Sequence, residues 1–192
     1  MRTLYYVPII HTLGDYASLQ EQISQSLEKN YGKQALANIK KELQSFWETV
    51  RERVFEAIPD PRGVIVYQDG LPSGPRDKIQ KLFGYYVSDT PQSENFALVK
   101  ELVEKGAVLE GTEDMRLVKA QVDLYKASYK ASPMADRITH ERDIFIAHRI
   151  NETLAQNGRA ILFIGRQHKV IEELDKLEES DKLLYPLRVV YL

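Results

Sequence analysis

The fold is decided by one apolar run near the C-terminal end of the chain and by the polar residues that follow it. The run is Arg159-Ala160-Ile161-Leu162-Phe163-Ile164-Gly165, and it continues into Arg166-Gln167-His168. A short apolar run of this kind, rich in β-branched and aromatic residues and ended by glycine, predicts a buried strand. It is the clearest strand of the sequence.

Weaker runs of the same kind predict four more strands, with helices between them. The strands are expected at residues 4–10, 63–67, 107–111 and 187–192. Apolar residues recur at intervals of three and four over 36–58, which predicts a long helix that buries Trp47 and most of Leu43, Phe46, Val50 and Val54. Strands that alternate with helices predict parallel strands joined by right-handed crossovers. We therefore expect residues 1–192 to form a single α/β domain, with a mainly parallel sheet flanked by helices.

The composition limits the class of protein. The chain has 192 residues, of which 43% are hydrophobic, enough for one core. Its 26 basic and 28 acidic side chains give a net charge of -2, which offers no general attraction to nucleic acid or to an anionic membrane. The absence of cysteine excludes disulfides and cysteine catalysis and fits a cytoplasmic location. The first apolar run is too short for a signal segment or a membrane span, so we expect a soluble, unprocessed protein.

Side chains that can bind metal or transfer protons follow four of the predicted strands. In chain order they are His11 with Asp15, Gln68 with Asp69, Glu110 with Glu113, and Arg166 with His168. The ligand crevice of an open parallel sheet lies outside the carboxyl ends of its strands, so we expect these groups to meet there. Two imidazoles with carboxylates predict either a divalent metal ion, with His11 and His168 as ligands, or a water activated by general-base catalysis without a metal. The alternative explanation is that strand ends are polar because loops are exposed and helices need caps.

Two predicted helices begin with carboxylates in their first turns. Thr112 and Thr139 are the expected caps, and the first turns hold Glu113, Asp114, Glu141 and Asp143. The helix dipole stabilises carboxylates at such positions without any function, and for Asp114 and Asp143 we accept that explanation. Glu113 and Glu141 remain candidates for catalysis.

Other residues of the same segments are candidates for binding a ligand. Glu141 lies on a helical stripe that we expect to face inward, and His148 on that stripe is interpreted as a buried residue outside the site. Arginines near the site could bind an anionic part of a ligand, although an exposed arginine is the commoner situation. The ligand-binding candidates are Asp15, Asp69, Arg142 and Arg166.

The C-terminal third resembles a known group of proteins. Glu141-Arg142-Asp143-Ile144-Phe145-Ile146-Ala147 is followed by a helix, by Gly158, and by an apolar strand that ends in Gly165-Arg166-Gln167-His168. This order resembles the closing half of the TraB/PrgY, Tiki, erythromycin-esterase and ChaN-like superfamily, in which an ERD-type helix start precedes a strand that ends in GxxH. The other GxxH of that group lies at the end of the first strand, where Pro8-Ile9-Ile10-His11 keeps the histidine but not the glycine. The acidic residue expected after the second strand corresponds to Gln68 or, one place on, to Asp69.

The resemblance implies a fold and a site more strongly than a reaction, because members include metal-dependent peptidases, esterases, haem-binding proteins and pheromone-shutdown proteins. The leading hypothesis is a hydrolase-like enzyme for a small molecule or a peptide. In it, His11 and His168 bind a divalent metal ion or activate water against a carbonyl centre. The side chains that would assist them are Glu113, Glu141 or Asp69.

Two further functions stay open. A non-catalytic ligand-binding or sensor protein would keep the crevice without the chemistry, and the departures at Pro8 and Gln68 favour that hypothesis. An interaction protein would use the helix over 36–58 to pack against another chain, although such a stripe is more often part of the chain's own core. A homo-oligomer is compatible with all three functions.

Overall fold

The computed structural model describes residues 1–10, 20–128 and 132–192, without the side chains of 20–24, 27 and 125–128. Strands and helices alternate along this part of the chain. In order, they are β1 (Arg2–Ile9), α1 (Gln20–Tyr31), α2 (Lys33–Ala57), β2 (Ile65–Pro72), α3 (Arg76–Asp89), α4 (Glu94–Glu104), β3 (Val108–Glu113), α5 (Met115–Ser128), α6 (Pro133–Thr153), β4 (Arg159–Gly165), α7 (Val170–Glu179) and β5 (Leu187–Tyr191).

The strands form one sheet in the order β3-β2-β4-β1-β5, and every neighbouring pair is parallel. The expectation of an α/β fold with a parallel sheet flanked by helices is therefore confirmed. Ile9 of β1 lies opposite Gly165 of β4, and Gln68 of β2 lies opposite Phe163 of β4. The carboxyl ends of β1, β2 and β4 therefore lie along one edge of the sheet.

Strand β4 is buried on both faces. Ile161 and Phe163 pack into a core beneath α2, α3 and α4, whereas Leu162 and Ile164 pack into a second core beneath α6 and α7. All four side chains are 0% exposed. Successive side chains of a strand point to opposite faces, so an unbroken apolar run is what a central strand needs.

Helix α2 reaches the core through its second half. Trp47, Val50 and Val54 are buried there, as expected, whereas Leu43 and Phe46 are half-buried. The expected burial of Trp47 is confirmed, but only two of its four named neighbours are buried, because Leu43 and Phe46 lie at the margin of the core.

Helix α6 begins earlier than expected. The sequence predicts a start at Thr139, but α6 begins at Pro133, and the Ser132 hydroxyl accepts a hydrogen bond from Ala135 N at 3.2 Å. Serine suits the cap, and proline suits the first helical position because the N–H that it lacks would have no partner there. Asp143 therefore lies in the middle of α6, where the helix dipole does not account for it.

Strand β3 is longer than expected. Thr112 and Glu113 belong to the strand rather than to the start of the next helix. The hydroxyl of Thr112 donates a hydrogen bond to the carbonyl oxygen of Gln68 at 3.1 Å, which ties β3 to β2. Pairing with a neighbouring strand therefore overrides the local signal for a helix cap.

A bulge extends this pairing towards the edge of the sheet. The register between β2 and β3 shifts between Gln68 and Pro72. Gly111 is required opposite the bulge, because a Cβ there would lie 1.9 Å from the carbonyl oxygen of Pro72. Bulges of this kind redirect side chains near sheet edges, and this one includes Asp69.

In the part of the chain that the structure describes, no helix combines the length and the apolar character needed to cross a membrane.

Candidate functional site

One buried arginine gathers the acidic side chains at the carboxyl edge of the sheet. Arg142 on α6 donates through Nε and Nη2 to the two oxygens of Glu113, at 3.1 and 2.5 Å. Its Nη2 also donates to Asp69 Oδ1 at 2.8 Å, and its Nη1 donates to the side-chain oxygen of Gln121. The planar fork of a guanidinium suits two-pronged binding of a carboxylate. We name the set Asp69, Glu113, Gln121 and Arg142 the arginine clamp.

Burial sets the electrostatics of the clamp. The Glu113 side chain is 0% exposed. Burial raises the pKa of Glu113 above its usual range, and the hydrogen bonds from Arg142 oppose that shift. Burial acts to lower the pKa of Arg142, but the contacts with Glu113 and Asp69 outweigh it and raise that pKa. Arg142 therefore stays charged, and one fixed cation faces two carboxylates.

His168 lies beside the clamp and is held by a different carboxylate. Its side chain is 1% exposed, and its Nδ1 lies 2.5 Å from Asp143 Oδ1. The other oxygen of Asp143 accepts a hydrogen bond from Lys169 N at 2.9 Å. Because a carboxylate accepts at Nδ1, the neutral ring carries its proton there and keeps a lone pair on Nε2. Nε2 is buried and has no hydrogen-bond partner within residues 1–10, 20–128 and 132–192.

Asp69 connects the clamp to the histidine. Its Oδ1 binds Arg142, while its Oδ2 accepts a hydrogen bond from Gly165 N at 3.1 Å and lies 3.8 Å from His168 Nε2. The last distance is too long for a direct hydrogen bond. A water or ligand oxygen that bridged the two atoms would lie about 2.8 Å from each of them.

The local structure explains why these groups meet. Asp143 lies on the buried face of α6, three positions before Ile146 and seven before Ile150. Strand β4 ends at Gly165, and the hydrogen bond from His168 N to the Gly165 carbonyl, 3.0 Å long, closes the turn that places the ring beneath α6. The site is therefore built where the central strand runs out against a packed helix.

A cavity of about 370 Å³ borders Asp143, the carboxylate that holds the His168 ring. It is lined by Ala135, Asp136, Thr139, His140, Asp143, Gln167 and Lys169. Sites for small molecules usually enclose about 300 to 1,000 Å³, so the cavity is large enough for a small ligand. Asp143 forms part of its wall, which places such a ligand next to that carboxylate.

The structure brings four of the predicted site residues together. They are Asp69, Glu113, Arg142 and His168. Arg142, expected to bind an anionic part of a ligand, instead binds carboxylates of the protein itself. His11 and Asp15 lie outside the described residues, so their place in the site stays a prediction.

Other predicted residues lie away from this cluster. Glu141 pairs with Arg137 at 2.9 Å and its side chain is 42% exposed, so the expectation that it faces inward is wrong. His148, expected to be buried on the same stripe, is exposed, and so is Arg166. The physical reason is the orientation of α6, whose buried face carries Asp143 rather than Glu141.

Sequence reasoning missed two residues of the site. Asp143 was assigned to the helix dipole, yet its spacing to Ile146 and Ile150 is the signal of an inward helix face and could have identified it. Gln121 carries no comparable signal. It meets Arg142 only because α5 packs against α6.

The described residues do not fit a divalent metal ion. Asp69 and Glu113 already hold the guanidinium of Arg142, and Asp143 is occupied by His168. Over the described ranges, no group of three or more histidine, cysteine, aspartate or glutamate side chains is placed to hold a metal. Metal binding by His11 together with His168 stays a prediction, because His11 lies outside those ranges.

Comparison of the chain with models of protein families, with curated proteins and with solved structures finds no match. The likeness of residues 141–147 and 165–168 to the TraB/PrgY, Tiki, erythromycin-esterase and ChaN-like superfamily stays a prediction. The function has to be inferred from the geometry of the site.

Proposed function

We propose that the chain is a hydrolase that cleaves a bond at a carbonyl centre, and that His168 is its general base. The observation that carries the proposal is the buried His168 ring, which Asp143 holds through Nδ1 and whose Nε2 has no hydrogen-bond partner among the residues that the structure describes. Leaving a buried polar atom without a hydrogen bond lowers stability, so such atoms are rare and call for an explanation. A base that must receive a proton from a bound water provides one.

In the proposed reaction, one water molecule lies between His168 Nε2 and Asp69 Oδ2. It donates one hydrogen bond to each of these atoms. Nε2 takes a proton from the water as the water oxygen attacks the carbonyl carbon of an ester or amide. The imidazolium then gives that proton to the leaving oxygen or nitrogen as the bond to the carbonyl carbon breaks. The products are an acid and an alcohol or amine, and His168 returns to its neutral form.

The neighbouring carboxylates support this assignment. Asp143 fixes the ring and stabilises the imidazolium that forms during the reaction, as the carboxylate of a catalytic triad does. Lys169 N holds the second oxygen of Asp143 at 2.9 Å, which limits rotation of the carboxylate. Asp69 is held at Oδ1 by Arg142 and at Oδ2 by Gly165 N, so it offers the water an acceptor in a fixed position.

Hydrolysis of chromogenic substrates tests the proposal. The chain, purified without a tag, is offered p-nitrophenyl acetate, p-nitrophenyl butyrate and an amino-acid p-nitroanilide. We expect turnover of at least one of them. His168→Ala is expected to lower kcat about 10² to 10⁴-fold, the usual contribution of general-base catalysis.

His148→Ala is the matched control, because His148 is an exposed histidine on α6. This variant is expected to keep the wild-type kcat. A folded His168→Ala protein with wild-type turnover would contradict the proposal.

A ligand-binding or sensor protein without turnover is the second candidate. The closure of the site favours it, because the His168 side chain is only 1% exposed. Gln68 favours it as well, since this buried amide donates to the carbonyl oxygen of Asp69 at 3.2 Å and supplies no acid. In that case the wild-type chain should bind a non-hydrolysable ketone analogue of the esters in a calorimeter and release no nitrophenol from any of them.

A further inference from the structure

We infer that Arg142 is the resident cation of this site and occupies the position that a divalent metal ion would need. The inference rests on the proposed function for the role of the site, but its evidence is the arrangement of the arginine clamp. A divalent metal ion with His11 and His168 as ligands is one of the two alternatives that the sequence predicts beside these carboxylates. The structure places a side chain of the protein there instead.

The geometry does not allow the Arg142 guanidinium and a metal ion to be bound by these carboxylates at the same time. The two oxygens of Glu113 and Oδ1 of Asp69 all point at one guanidinium, with nitrogen to oxygen distances of 2.5 to 3.1 Å. Metal ions bind carboxylate oxygens at about 2.0 to 2.6 Å. An ion held by the same three oxygens would therefore overlap the guanidinium nitrogens.

The charges lead to the same conclusion. The side chains of Glu113 and Asp69 are 0% and 11% exposed, so water does little to stabilise two negative charges here. Buried carboxylates need a cation or hydrogen-bond donors in direct contact. Arg142 supplies both, and it is attached to α6, so the site cannot lose its cation to the solvent or to a chelator.

Arg142 is then a positioning residue for His168. It does not touch Nε2. It holds Asp69 through Oδ1, and this contact keeps Asp69 Oδ2 at 3.8 Å from Nε2. Without Arg142, the oxygens of Asp69 and Glu113 lie next to His168 Nε2, which accepts no hydrogen bond from the described residues, and this donor set suits Mn²⁺.

Titration with Mn²⁺, followed by the electron paramagnetic resonance signal of the free ion, tests the inference. Wild type is expected to bind no Mn²⁺ at this site. Arg142→Ala is expected to bind one equivalent, at least about 100-fold more tightly than any residual Mn²⁺ binding by wild type, because it removes a fixed positive charge about 4 Å or less from the ion. Arg142→Ala/Glu113→Gln is expected to lose the gain, because one carboxylate ligand is gone.

Arg137→Ala is the matched control. Arg137 lies on the same helix and pairs with a carboxylate, but its side chain is 73% exposed. This variant is expected to bind Mn²⁺ as wild type does. An equal gain in Arg137→Ala would show that general loss of positive charge explains the binding, and it would overturn the inference.

Two further results would overturn the inference. One is stoichiometric Mn²⁺ binding by wild type that disappears in Glu113→Gln. The other is a folded Arg142→Ala protein that gains no affinity. If Arg142→Ala does not fold alone, it is refolded with Mn²⁺ or with ethylguanidinium: recovery with either cation supports the inference, and failure with both contradicts it. None of these readouts is hydrolysis, so the inference can fail or succeed independently of the proposed reaction.

Discussion

Helix α6 carries two arginines that bind glutamates of the same strand, and the two pairs differ in their surroundings. Arg142 binds Glu113 at the carboxyl end of β3. Arg149, seven positions later on α6, binds Glu110 at 3.0 Å, and Arg76 lies 3.7 Å from the other oxygen of Glu110. The Arg149 side chain is 24% exposed, compared with 7% for Arg142.

The difference shows what turns an ion pair into a candidate site. The pair of Arg149 and Glu110 links α6 to the sheet, and the Arg149 side chain is partly exposed to solvent. The pair of Arg142 and Glu113 also links α6 to the sheet, but it lies at the carboxyl edge, where Asp69 reaches to 3.8 Å from His168 Nε2. In the described part of the chain that nitrogen has no hydrogen-bond partner. We therefore expect a role in the chemistry for the pair of Arg142 and Glu113 and a structural role for the pair of Arg149 and Glu110.

The largest expected difference is in stability. Arg142→Ala removes one partner of a buried pair and leaves Glu113 without compensation, which should lower the free energy of unfolding by about 3 to 5 kcal/mol. Arg149→Ala also leaves a buried carboxylate, since the Glu110 side chain is 9% exposed, but Arg76 remains 3.7 Å from it, and the loss should be smaller, about 1 to 3 kcal/mol. Urea titrations followed by the fluorescence of Trp47, the single tryptophan, measure both losses. Equal losses would erase the distinction between the two pairs.

The next largest effect is expected on hydrolysis. Asp143→Asn keeps the shape of the side chain but removes the charge that orients the His168 ring, so kcat for p-nitrophenyl acetate should fall about 100-fold or more. Glu110→Gln changes the other pair by the same chemical step and should leave kcat unchanged. Similar losses in the two variants would indicate a general loss of structure rather than a role for Asp143.

A smaller effect concerns pH. Because burial raises the pKa of Glu113 above its usual value of 4.5, the folded chain binds a proton that the unfolded chain has released. The contribution of Glu113 to stability is thus fully present below 4.5 and falls as pH rises through the folded value. The free energy of unfolding of wild type relative to Glu113→Gln, from urea titrations at about pH 4 to 8, should decrease as pH rises. An increase would show that Arg142 outweighs burial.

The pKa of Asp60 is shifted in the opposite direction to that of Glu113. Hydrogen bonds from Arg62 lower the pKa of Asp60 to about 2. The contribution of Asp60 to stability is fully present at pH values above the usual pKa of an aspartate and is lost as the pH falls towards 2. Asp60→Asn should therefore change the pH dependence only in acid, on the other side of the range that Glu113 affects.

The smallest effect is expected at the exposed pair of Arg137 and Glu141. Glu141→Gln removes an ion pair between neighbouring turns of α6 and should change the free energy of unfolding by less than about 0.5 kcal/mol. It should leave hydrolysis unchanged, although the sequence suggests Glu141 as a catalytic residue. A loss of hydrolysis in a stable Glu141→Gln protein would restore that hypothesis.

Periodicity and strand composition predict the sheet and much of the core, because an unbroken apolar run such as residues 160–164 is stable only between two layers of helices. The rule that crevices lie at carboxyl ends of strands predicts Asp69, Glu113 and His168. Cap residues mislead at Thr112 and Thr139. Pairing with β2 extends β3 through Thr112, and α6 is capped by Ser132, seven residues before Thr139. The bulge in β2 and the contact of Gln121 with Arg142 depend on tertiary packing, which a local pattern does not contain.

The protonation of the two ring nitrogens of His168 decides whether Nε2 can act as a base. Nitrogen NMR of the chain labelled with ¹⁵N-histidine measures it directly, and the signals that disappear in His168→Ala identify this ring. In the neutral ring we expect a protonated Nδ1, bound to Asp143, and a bare Nε2. A proton on Nε2, donated towards Asp69 3.8 Å away, would contradict the assignment of His168 as the general base.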